Sequence, residues 1–243
     1  MESRVRPRAA YLWQIAVALA VAFAAMRAAG VLGPRGLRFL LPLGFTLMAL
    51  APFLLLDAAA RREAGLRWAA TPRSWLVAAV AGSAASLACF ALGYAVFGTS
   101  GDNWFVTIAN NYRQTMDTTG WPVARLHLVF TIPALIFSPI GEEIFFRGYL
   151  QYALEQRFGV RASTTTECAA FGLVHVCHHG LLLTAAGFAL RPLSGPLWVT
   201  LMFCAALLFA YLRKRSGSVV PAIVAHACFN LVMNLTIFGF LWV

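Results

Sequence analysis

Charged residues are scarce in this chain. They make up 12% of its 243 residues, about half the share found in soluble domains, and nine are acidic. The apolar set makes up 60%, and mean hydropathy is +0.74. This balance excludes intrinsic disorder and a water-soluble globule, which leaves the bilayer as the expected solvent. At about 20 residues per crossing, the length holds about six to eight spans and no separate soluble domain. Cysteine is sparse as well. Cys89, Cys168, Cys177, Cys204 and Cys228 lie singly inside apolar segments with no CxxC pair. That excludes a disulfide framework and a thiolate zinc site, and leaves buried free thiols. Sequence repeats and low-complexity tracts are missing too. Lysine is nearly absent: every basic residue except Lys214 is arginine. With the Ala-rich runs, this bias suggests a GC-rich bacterial genome and hence a bacterial inner membrane.

The net charge of +10 and pI of about 10.1 would point a soluble chain toward nucleic acid. Here the arginines sit in short gaps between apolar runs, as they do in membrane proteins. The expected partner is the lipid bilayer, and nucleic acid is set aside.

Apolar runs place spans at about 11–29, 37–56, 75–97, 124–158, 164–177, 196–212 and 219–242. The first follows Arg4, Arg6 and Arg8 but is long for a signal peptide and has no convincing cleavage site. Thr71-Pro72 is a helix-start signal before the third span, whose Gly, Ala and Ser suit close helix packing. Residues 103–118, in the one long polar connection, are read as a short helix on the surface. An interfacial segment is expected at 181–190. Most basic residues fall on inside segments if the N-terminus is inside, with Arg27, Arg35 and Arg38 counted outside. The expected fold is therefore all-α: a polytopic bundle of about seven spans, N-in. Residues 1–122 carry spans one to three and the polar loop, and 123–243 carry spans four to seven.

Ionisable residues inside such spans are functional candidates by default, because a charge in the bilayer core costs a few kcal/mol or more. Glu142 and Glu143 are adjacent in an apolar helix. Glu143 and Arg147 stand at i,i+4 on one face, within ion-pair reach, while Glu142 points about 100° away with no local partner. An unpaired buried carboxylate suits general acid or base work. His175 lies one helical turn after Phe171, and His226 and Asn230 share a face at i,i+4. His178 and His179 read as satisfied core or interfacial residues.

Glu142-Glu143-x-x-x-Arg147, Phe171-x-x-x-His175 and His226-x-x-x-Asn230, in this order on successive apolar helices, resemble the CPBP family. These are the CAAX-protease and bacteriocin-processing, or Abi, intramembrane endopeptidases, related to the Ras-converting enzymes. The resemblance covers roughly 126–234 and implies a helical core with a cavity open to the cytoplasm and membrane. It implies that Glu142 and His175 activate a water for attack on a peptide carbonyl, while His226 and Asn230 stabilise the oxyanion. Glu143 and Arg147 would support Glu142, and Phe171 would pack beneath His175. The expected substrate is a membrane-associated peptide or protein, cut near its membrane-proximal or C-terminal end. A metal-free mechanism is favoured. The alternative is zinc on Glu142, His175 and His226, a His₂Glu set. Competing readings are a proton- or cation-coupled transporter using the same buried groups, and a non-catalytic immunity or scaffold protein of the same fold.

Overall fold

The computed structural model describes residues 11–68, 71–184 and 187–242. Arg4, Arg6 and Arg8, assigned to the inner side from sequence, lie outside the described residues. The elements are α1 (Leu12–Leu32), α2 (Leu40–Leu55), the short α3 (Ala58–Glu63), α4 (Pro72–Phe97), α5 (Trp104–Thr115) and α6 (Val123–Glu143). A π-helical turn, Ile144–Leu150, leads into α7 (Gln151–Val174) and a 3-10 turn at His175–Cys177. Two short strands, β1 (Leu181–Thr184) and β2 (Gly187–Leu190), precede α8 (Ser194–Ser216) and α9 (Val220–Thr236). Among the described residues, six helical stretches are long and apolar enough to cross a membrane. The protein is an integral membrane protein of largely helical fold.

Local chemistry explains most boundaries. The Thr71 side chain caps α4 by accepting from the Ser74 N–H, with Pro72 at the first helical position. On α4, Ala78, Gly82, Ser86, Cys89 and Gly93 form a buried strip of small residues that lets α9 pack close. The longest stretch, Val123–Cys177, turns back on itself at Gly159. Its φ of 77° and ψ of 170° are disallowed for most residues and break the helix into two arms. The expected spans four and five are those arms.

One expectation needs correction. The segment read as a surface helix is α5, and it is not superficial. Trp104, Phe105 and Ile108 are buried in the apolar cluster of α4, α8 and α9. The segment expected to be interfacial is an antiparallel hairpin pairing Leu181 with Leu190 and Thr184 with Gly187, a small addition to an otherwise helical fold. A ten-residue apolar run has no periodicity strong enough to tell a helix from a strand.

The bundle has two ends, each tied by hydrogen bonds. At the α3 end, Tyr152 donates to Glu63, Arg67 to the Gly217 carbonyl, Arg213 to the Glu63 carbonyl and Ser218 to the Arg67 carbonyl. At the α5 end, Arg35 donates to the Gln114 carbonyl, Arg191 pairs with Asp102, and His179 bonds to Thr107 and Ser194. Helix α1 starts at the α3 end, where Trp13 packs on Phe158, and finishes at the α5 end. The large internal cavity reaches Arg38, Asn111, Thr115 and Met116, all at the α5 end. An N-in chain and a cytoplasmic cavity mouth therefore cannot both hold, because α1 crosses the bundle once between them.

Candidate active site

Helix α6 delivers the acidic pair. Gly141 makes room for it: a Cβ there would strike the Phe45 backbone, so α2 lies directly against α6 beside Glu142. The π-helical turn begins immediately after Glu143, a widened turn of the kind often found at functional sites. Glu142, Glu143 and Arg147 are all fully buried. Arg147 Nε lies 3.1 Å from Glu143 Oε2 and 3.2 Å from Glu167 Oε1. Its guanidinium sits 4.1 Å from the Phe171 ring centroid, so an aromatic face covers what the carboxylates do not.

Phe171, on the second arm of α7, and His175, which opens the 3-10 turn after it, are one turn apart, with ring centroids separated by 4.5 Å. Nδ1–H of His175 donates to the Phe171 carbonyl at 2.7 Å, which leaves Nε2 as a lone-pair acceptor. Nδ1 of His226 lies 2.8 Å from Glu143 Oε1 and donates to that carboxylate, and its Nε2 is 4.0 Å from Glu142 Oε2. The His226 ring stacks on Phe209 at 5.2 Å. Asn230 lines the cavity and donates one amide N–H to the Ala134 carbonyl at 2.9 Å. The structure thus gathers all seven residues singled out from sequence.

Two further residues belong to the cluster and were missed. Arg27 on α1 is 3% exposed, ion-pairs with Glu142 and places NH1 3.3 Å from His175 Nε2. Glu142 is therefore paired, by a partner 115 positions earlier, and Arg27 is no loop residue. One signal was available: it is the lone charge within the first apolar run. Glu167 is the other, fully buried and shared with Arg147. It lies two turns before His175 on the same helix. His178, read as bland, lines the cavity, and His179 is buried at the α5 end.

The cavity encloses about 510 Å³, and its lining is apolar apart from a few polar groups. Phe171, His175, His226 and Asn230 line its inner part. As for metal, Glu142 and His175 Nε2 are both turned to the Arg27 guanidinium, and His226 Nδ1 is committed to Glu143. Among the described residues no three His, Cys, Asp or Glu side chains are grouped to hold an ion. The His₂Glu donors do not fit a zinc centre as placed.

A family comparison bears on this arrangement. Residues 124–232 match the model of type II CAAX prenyl endopeptidase Rce1-like proteins. The segment is Rce1-like. It contains the acidic pair, both histidines and Asn230, and it excludes Arg27. No curated protein and no solved structure matches the chain. The Rce1-like segment and the apolar helices support a protease that works within the membrane on a membrane-proximal peptide.

Proposed function

We propose that the protein is an intramembrane endopeptidase in which Glu142 and His175 activate water and His226 and Asn230 stabilise the oxyanion. The observation that carries this reading is one guanidinium, Arg27, held between Glu142 and His175 beside an apolar cavity, within reach of an Rce1-like segment. Glu142 and His175 Nε2 thus converge on one point. In this reading Glu142, the ion-pair partner of Arg27, acts as the carboxylate that accepts a proton from water. The resulting hydroxide adds to the peptide carbonyl, and the proton passes on to the leaving amine.

His226 and Asn230 are the proposed oxyanion donors. The oxyanion role requires His226 to carry a proton on Nε2 as well as on the Nδ1 that donates to Glu143, since a ring protonated at Nδ1 alone could only accept there. Donors of this kind contribute about 3 kcal/mol to a developing oxyanion. Asn230 adds its second amide N–H. Glu143, Arg147 and Phe171 hold these groups in place, and Arg27 is a positioning residue. The mechanism runs without a metal ion. A bacterial inner membrane is the proposed location.

The test is cleavage of co-expressed membrane proteins by Glu142→Ala and His175→Ala variants. Loss of cleavage with normal membrane insertion is expected, and full activity in both would overturn the site assignment. Proton or solute flux in proteoliposomes lacking substrate would instead support transport.

A further inference from the structure

The two ends of the bundle differ in basic residues, and the cavity opens at the poorer one. At the α3 end stand Arg61, Arg62, Arg67 and Arg73, then Arg157 and Arg161 beside the Gly159 bend, then Arg213, Lys214 and Arg215 at the close of α8. At the α5 end, among the described residues, stand Arg35, Arg38, Arg113, Arg125 and Arg191. Arg27 and Arg147 are buried within the charge cluster and say nothing about sidedness. Basic residues at both ends are engaged locally, Arg67, Arg213 and Lys214 at the α3 end among them. Arg191 is paired with Asp102, Arg113 lies over Trp242 at 4.4 Å, and Arg125 lies over Trp121 at 3.8 Å. Short connections rich in Lys and Arg stay in the cytoplasm. The excess of nine over five therefore puts the α3 end in the cytoplasm and the α5 end on the far side.

The cavity follows the α5 end. Its outer lining comes from Val31, Arg38, Asn111, Thr115 and Met116, and none of its lining comes from 56–67, 152–164 or 211–219. We propose that the cavity opens away from the cytoplasm, and that its occupant is a membrane-anchored protein presenting its non-cytoplasmic juxtamembrane segment. The proposal rests on the endopeptidase reading for what happens to that segment. Charge at the mouth agrees with it independently. Arg38 lines the opening, and its Nε has no hydrogen-bond partner. A cation there repels the Lys- and Arg-rich flank that an anchor keeps on its cytoplasmic side, and tolerates the neutral or acidic flank on the other. The substrate class is thus a protein whose cut site lies just outside the membrane, next to its own hydrophobic anchor.

Sidedness can be read without any turnover. Thr119→Cys, exposed at the α5 end, and Arg62→Cys, exposed at the α3 end, are made in the full chain. Intact cells are then treated with a membrane-impermeant maleimide, with the parent chain as background. Labelling at position 119 in intact cells, and at position 62 only after permeabilisation, is expected. The reverse pattern, or labelling of both in intact cells, overturns the proposal. A second arm uses Met116→Cys at the mouth. Modification from outside the cell should abolish cleavage by this variant but not by the parent, and unchanged cleavage after complete modification overturns the mouth as the substrate's entry. Failure of the endopeptidase reading is a separate result: the first arm stands or falls without any cleavage assay.

Discussion

Glu142 is buried with Arg27 as its ion-pair partner, and removing either leaves an uncompensated charge in an apolar interior. Such a loss costs about 3–5 kcal/mol. Arg27→Met should therefore lower stability by about that amount in thermal unfolding in detergent. Arg27→Met combined with Glu142→Gln should lose less than the two single changes added together, by at least about 1 kcal/mol of coupling. Strict additivity would mean that the pair is not formed. The Glu143–Arg147 pairing was legible because i,i+4 spacing is local geometry. The Arg27–Glu142 pairing was not, since nothing in local pattern links residues 115 positions apart, and Glu142 looked partnerless for that reason. Glu167 escaped notice for a related cause: it only becomes part of the cluster once the Gly159 bend folds its arm back against Arg147.

At the scale of elements, α5 shows how composition can mislead. Its polar residues suggested a surface helix, yet Trp104 and Phe105 plug it into the bundle, and Thr107 bonds His179 at 2.9 Å. Burial pushes the His179 imidazole down from 6.5 to about 4, with Arg191 adding to the shift. The unfolded chain takes up the proton near 6.5 while the folded one resists it. The α5 end should hold its full stability above that value and lose it as pH falls toward about 4. Amide hydrogen exchange in α5 across this range is the measurement. A fall in protection factor, the exchange corrected for its intrinsic pH dependence, is expected on acidification and should be removed in His179→Gln, and a constant protection factor in the parent chain would contradict it. The span boundaries were mostly readable from apolar runs and the Thr71-Pro72 start, whereas the 181–190 hairpin fell in a run too short to show a period.

For the whole molecule, the matched segment and the proposed site do not coincide. Residues 124–232 carry the acids, histidines and Asn230, but α1 supplies Arg27 and α2 supplies the wall against Gly141. A chain reduced to 123–243 should insert in membranes and fail to cleave, while co-expression of 1–122 should restore activity. Cleavage by 123–243 alone would show that the N-terminal helices are dispensable. The most direct test of the central claim is Glu142→Gln in purified chain reconstituted in liposomes with a cleavable membrane substrate. The account predicts a loss of about 10²–10⁴-fold in cleavage rate with the helical fold retained. A variant that folds and cuts at the parent rate would contradict it.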